Sequence, residues 1–434
     1  MQAKSNHEEF QKSIAHSFFG LQFGRTGFQT FICTRQDMDA YISQKIRNLS
    51  LLLMVLVAFI HGYNINLRFT DGSVEAAYSL RFFEGFISDG ICRVAVPMFF
   101  AISGFLATVS LGKTFHWKGY GTLLGKRIKS LLIPYLLVSA LGIITVWILL
   151  VIPFSKPFFN NYSLEYTPWK RWIWIWTLSP VPYPLWFMRF LMDYFLCFPI
   201  LFFLIRLTKG WILIPLAGLW AYAQIHIHLT WIKPFFTLAT FGLCLISGTP
   251  FSMYMVASKT ELEGLFFFAL GIAAALGPAS RVSFQMPRLY FWVLFMAWIG
   301  WVAYRTSLSL LPTRDHYQVH YHLVGFTFIG FFIFWFLYDQ IHGLFIRDKS
   351  LSKAAAFSVG LFLFHEPFLT ILKKGMIRFG GGGDGILWLA FLICPILSLL
   401  FSFYLSFFLS RKVPTAYNWL TGNRRPDHQK TPIS

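Results

Sequence analysis

LSLLLMVLVAFIHGYNIN, residues 49–66, contains no Asp, Glu, Lys or Arg, and its length falls within the roughly 17–25 residues that a helix uses to cross a bilayer. Lys45 and Arg47 stand just before this run, and His61 interrupts it near its far end. Nine further runs of similar character follow near 90–111, 131–153, 184–206, 210–226, 263–279, 288–306, 321–340, 355–372 and 385–410. The expected fold is therefore all-α, a polytopic membrane bundle of about ten transmembrane helices. A weaker apolar segment, 234–250, is punctuated by Gly and Pro and reads as re-entrant or interfacial. If it spanned, every later segment would invert.

Composition supports this reading. The chain has 434 residues, of which 56% are hydrophobic, 20% aromatic and only 13% charged, against about 25% charged in soluble domains. A single soluble core has no room for 51 Phe and 16 Trp, whereas lipid accepts them along the outside of every helix. The formal net charge of +19 raises the question of nucleic acid. The basic residues form no groove-lining patch with interleaved aromatics, however, and fall in short clusters between apolar runs, so no nucleic-acid partner is expected. Such clusters hold loops on the cytoplasmic side and meet anionic head groups, making the lipid bilayer the first partner. Cys33, Cys92, Cys197, Cys244 and Cys394 show neither metal-ligand spacing nor a paired framework and read as small packing residues.

With ten spans, the loops predicted inside carry most of the Lys and Arg, including Lys45 and Arg47, the cluster from Lys113 to Lys129, Arg206 and Lys209, and Arg411 and Lys412. The outside loops carry fewer, among them Arg68, Arg81, Lys373, Lys374 and Arg378. This places a multi-pass protein in the cell (cytoplasmic or inner) membrane with both termini cytoplasmic. No leading apolar segment reads as a cleavable signal. The organisation is an N-terminal cytoplasmic or interfacial segment over 1–44, a transmembrane domain over 45–410, and a basic cytoplasmic tail over 411–434 that ends NRRPDHQKTPIS and reads as disordered. The long outside loop 154–183 contains FFNNYSLEYTPWKRWIWIW and suits the head-group layer.

Ionisable groups inside the spans are the places to look for function, because each is costly in hydrocarbon. His61 needs a partner or a water-filled cavity, and a neutral imidazole can take a proton from a hydroxyl near neutral pH. Satisfaction by a neighbouring helix is the structural alternative. Arg189 and Asp193 in PLWFMRFLMDYF are spaced i, i+4 and can neutralise each other, or Arg189 can present charge to an anionic group. Arg93 stands at the mouth of the second span. His365 and Glu366, in SVGLFLFHEPFL, are adjacent and so point about 100° apart on a helix, which keeps them from facing one site. Pro367 breaks the ladder beside them. In VPMFFAISGFLATVS, Ala101, Ser103 and Gly104 permit close helix approach. No metal-ligand cluster stands out.

The joint order of an apolar first span ending in His61, then VPMFFAISGFL, KRIKSLLIPYLL, PLWFMRFL, FFFALGI and SVGLFLFHEPFL resembles the membrane acyltransferase 3 family over most of residues 45–410. The FFxxSGFL and LWFxR pieces are the most characteristic. The resemblance implies about ten helices and transfer of an acyl group, usually acetyl from acetyl-coenzyme A, to a sugar or other hydroxyl-bearing acceptor of the cell envelope. No bound cofactor is implied, since the acyl-coenzyme A is a substrate. By position His61 matches the family's first-helix histidine, the expected base. Ser50 stands where the family usually has an arginine, with Arg47 nearby. Arg127 is present, but Ser130 stands at the position of its usual arginine partner, with Lys129 beside it. Arg47, Arg127 and Lys129 are thus the expected donor contacts. Arg93, Arg189, Asp193, Ser103, His365 and Glu366 are the expected substrate contacts, Ser103 being one candidate nucleophile. Two other classes remain: an exporter of an envelope precursor, which matched broken repeats would favour, and a catalytically silent scaffold, which the serines at 50 and 130 favour.

Overall fold

A computed structural model describes residues 35–63, 68–69, 72–73, 76–153, 155, 169–178, 182–225, 257–278, 282–312, 316–347, 354–366 and 368–422. The chain divides into two compact units, Met1–Tyr41 and Ile42–Ser434. Apart from a two-residue antiparallel pairing of Arg68–Phe69 with Gly72–Ser73, the described regular structure of the second unit is helical. In hydrocarbon a helix satisfies its backbone internally, which is why uncharged runs of this length fold so.

The helices are α1 (Arg35–Gly62), α2 (Tyr78–Glu84), α3 (Ala95–Leu111), α4 (Trp117–Arg127), α5 (Ile133–Val151), α6 (Trp169–Leu178), α7 (Trp186–Leu207) and α8 (Leu213–Ile225). They continue as α9 (Ala257–Leu276), α10 (Arg288–Leu310), α11 (His316–Arg347), α12 (Ser358–Phe364), α13 (Phe368–Gly380), α14 (Asp384–Lys412) and α15 (Pro414–Thr421). Among the described residues, 7 helical stretches are long and apolar enough to cross a membrane. Three expected spans differ from these. The fifth is the short α8, the sixth is α9 with Glu261 and Glu263 in its second turn, and the ninth is broken into α12 and α13. The break lies between Phe364 and Phe368; the expected ladder-breaker, Pro367, lies outside the described residues.

Two of the long stretches bend. A π-turn over Gly85–Gly90 and a tighter turn over Ile91–Val94 join α2 to α3, and a π-turn over Ile128–Leu132 joins α4 to α5. The expected disordered tail begins instead with a helix, since α15 packs its C-cap Gly422 directly against the Ser130 backbone. Segment 234–250 lies outside the described residues.

At the centre, α3 and α9 touch backbone to backbone. A side chain on Gly104 would overlap the Phe268 carbonyl, and one on Gly271 would overlap that of Ala101. The two helices run in the same direction, with Arg93 beside Glu263 at one end and Phe105 beside Ala274 and Gly277 at the other. Gln224, at the end of α8, bonds Glu263, so Ile225 and Ala257 lie toward the same end of the bundle. Along α14, Ser398, Ser402, Ser406 and Ser410 recur at every fourth position and are all buried. This stripe of small residues lets α12 approach until Gly360 meets Ser406.

Near the start of α1, Lys45 Nζ binds Asp339 Oδ1 of α11 at 2.7 Å, with both side chains 2% exposed, and lies over the Trp335 ring at 4.3 Å. Removing one member of a buried pair strands the other charge. Lys45→Met should therefore destabilise the protein by about 3–5 kcal/mol, whereas Lys45→Met combined with Asp339→Leu should recover most of the loss. Thermal unfolding in detergent, followed by tryptophan emission, measures both.

Candidate functional site

His61 lies in the last turn of α1, where backbone carbonyls lack intrahelical donors. Lys373 of α13 supplies one, its Nζ donating to the carbonyl of His61 at 3.1 Å and to that of Tyr63 at 2.9 Å. This ammonium is buried, complements the negative end of the α1 dipole, and has Glu366 and Glu84 within electrostatic reach.

The His365 ring stands 5.5 Å from that of His61, centroid to centroid. Its Nδ1 is 2.7 Å from the Phe362 carbonyl oxygen, which can only accept, so Nδ1 carries the proton. Nε2 is then an acceptor, buried and without a hydrogen-bond partner among the described residues. Ser398 Oγ donates to the His365 carbonyl at 2.7 Å and fixes the turn from the α14 side. Because α12 ends at Phe364, His365 and Glu366 sit in the turn before α13. His365 keeps helical backbone angles there and, as the sequence leads one to expect, the two side chains part: His365 lies against His61, while Glu366 turns to Thr370 and Lys373. Glu366 accepts from Thr370 Oγ1 at 3.0 Å and from its backbone N–H at 3.3 Å.

A cavity of about 330 Å³ opens beside His61, and Tyr63, Asp89, Arg93, Trp186 and Glu263 are among its lining residues. The π-turn delivers Asp89 and Arg93 there, since it shifts the chain out of the regular helical register just before α3. Gly90 allows that turn to pack, because any side chain on it would run into Val302. Arg93 binds Glu263 at 3.1 Å and reaches Asp89 at 4.0 Å. Gln224 also donates to Glu263, at 3.0 Å, and Arg305 of α10 binds Asp89 at 2.5 Å. Cations and carboxylates alternate here, so the charged part of a largely apolar wall is close to neutral overall.

Of the other expected residues, Arg189 forms its salt bridge with Glu261 of α9 at 3.1 Å, while Asp193, one turn along, stays within its electrostatic reach. Ser103 is partly buried beside the α3–α9 contact and does not line the His61 cavity. Arg127 stacks on the Phe195 ring at 4.8 Å, while Lys129 and Arg47 are exposed. Ser50 Oγ bonds the Ile46 carbonyl at 2.7 Å within its own helix.

Sequence reasoning missed Asp89, Glu263, Arg305 and Lys373. The two carboxylates stand at span edges, where charge reads as loop, and Lys373 counted as an outside-loop cation although it is buried. Their signal was present in the pairing of opposite charges among span ends, but which ends meet is a tertiary property. Compared with known proteins, residues 46–407 match a family profile described as an acyltransferase domain. No curated protein and no solved structure matches the chain.

The Lys373 contacts should be what holds the end of α1. Lys373→Met is expected to speed hydrogen exchange of the last α1 amides about 10-fold to 100-fold, the range set by losing about 1–3 kcal/mol of buried hydrogen bonding. Lys373→Arg should retain part of the protection. Mass-resolved exchange on peptides covering residues 53–63 reads the difference.

Proposed function

The chain belongs to the membrane acyltransferase 3 family, and on that premise we propose that it moves an acyl group, acetyl in the first instance, from an acyl-coenzyme A donor to a hydroxyl of an envelope glycan or related acceptor. The observation that carries this reading is the shared cavity. His61, the position at which the family has its expected base, opens onto a space of about 330 Å³ bounded by Asp89, Arg93, Glu263 and Trp186. An aromatic face together with ion-paired carboxylates is a surface on which a neutral polyhydroxyl group can stack and hydrogen-bond. Because Arg93 and Arg189 already hold carboxylates, a neutral acceptor suits the site better than an anionic one.

In the proposed reaction the acceptor hydroxyl gives its proton to the His61 imidazole as its oxygen attacks the thioester carbonyl. The carbon–sulfur bond then breaks, and the leaving thiolate takes the proton from His61. Arg93 offers positive charge to the oxygen that becomes negative in between. His365, whose ring lies against that of His61, orients it, and Lys373 fixes the backbone beneath it. Arg47 and Lys129, exposed, together with Arg127, are the proposed contacts for the donor phosphates.

Purified protein offered labelled acetyl-coenzyme A and a polysaccharide acceptor tests the reading. His61→Ala should lower transfer at least about 100-fold, the lower range for losing a general base, with its melting temperature retained. Wild-type protein that neither transfers nor hydrolyses the donor with any envelope acceptor would leave the exporter or the silent scaffold standing instead.

A further inference from the structure

Two further cavities adjoin where α3, α7 and α9 finish and α8 begins. One, of about 660 Å³, is lined by Lys113, Arg206 and Lys209 together with apolar side chains such as Trp211 and Ile214, and among the described residues no carboxylate lines it. The cations are placed by local chain geometry. Arg206 Nη1 donates to the Lys113 carbonyl at 3.3 Å, tying the end of α7 to the end of α3. Lys209 and Gly210 both take positive φ, 51° and 92°, and Gly210 N–H closes back on the Ile205 carbonyl at 2.8 Å, a turn that stops α7 and carries Lys209 at its tip.

The other cavity, of about 320 Å³, runs between α3, α9 and α11, and its described lining is apolar, Met98, Phe105, Leu270 and Trp335 among it. Leu213, Ala273 and Gly277 line both cavities, so the cationic space and the apolar one adjoin. An apolar cavity of this kind stays dry and takes hydrocarbon, whereas unopposed cations at a membrane surface attract phosphate.

We propose that the two cavities form one binding site for an anionic membrane phospholipid, with its phosphate among Lys113, Arg206 and Lys209 and one acyl chain between α3, α9 and α11. Charge complementarity selects an anionic lipid, and Trp211 and Ile214, 72% and 61% exposed, give the site an open flank through which a lipid enters sideways. The site does not depend on the transfer reaction proposed above.

Native mass spectrometry of the full chain in neutral detergent tests this, with chain-matched phosphatidylglycerol and phosphatidylcholine as probes. One phosphatidylglycerol should bind at least about 10-fold more tightly than phosphatidylcholine. Arg206→Gln with Lys209→Gln, both at exposed positions and with the melting temperature measured alongside, should weaken phosphatidylglycerol about 30-fold, as expected for two surface cations. Phosphatidylcholine binding should stay unchanged. Ala274→Phe, which fills the apolar half, should weaken both lipids. Equal binding of the two lipids by wild type, or unchanged phosphatidylglycerol binding by the double variant, overturns the proposal. So does one-for-one displacement by a long-chain acyl-coenzyme A, which would assign the site to the donor.

Discussion

Where α3 crosses α9, Gly104 lies against the Phe268 carbonyl and Gly271 against that of Ala101, leaving no space for a side chain on either glycine. Helices in a bilayer gain nothing from hiding apolar surface against one another, because lipid tails are equally apolar, so close backbone contact is what holds a pair together. The direction of that contact has consequences along its length. Running α3 and α9 the same way brings Arg93 to Glu263 at one end, which closes a wall of the His61 cavity. Toward the other end, the apolar cavity lies beside the same contact, lined by Ala101, Gly271 and Gly277. Both proposed sites are thus set by one helix crossing.

A second constraint is the cost of charge in a low-dielectric interior. Lys45 meets Asp339, Arg93 meets Glu263, Arg189 meets Glu261 and Arg305 meets Asp89. Lys373 has Glu366 and Glu84 nearby. Each pair also ties two elements distant in sequence, so the ion pairs fix register as well as offset charge. His61 and His365 differ from these groups, since a neutral imidazole carries no charge to desolvate and still offers a lone pair. The proposed transfer calls for a buried group that accepts and returns a proton, and few other side chains suit that task.

The bends supply the remaining geometry. Regular helices would bury Asp89 and Arg93 in whichever direction their register dictated, whereas the π-turn over Gly85–Gly90 turns them toward His61. Between α12 and α13, His365 meets the His61 ring while Glu366 meets Thr370 and Lys373.

The all-helical membrane fold was legible in the sequence because uncharged runs of about twenty residues have one low-energy state in lipid, a helix. His61 was legible for a related reason, being a polar group that such a run does not need. The sequence also placed small residues of α3, Ala101 and Gly104, at a close helix contact. It determined neither that Arg189 would bind Glu261 nor that Lys373 would cap α1, because those contacts join residues 72 and 312 positions apart. Hydropathy fixes how a segment meets lipid, one helix at a time. Which charged ends meet, and therefore where a cavity opens, depends on how the helices cross, and that was decided only when the glycines of α3 and α9 packed together.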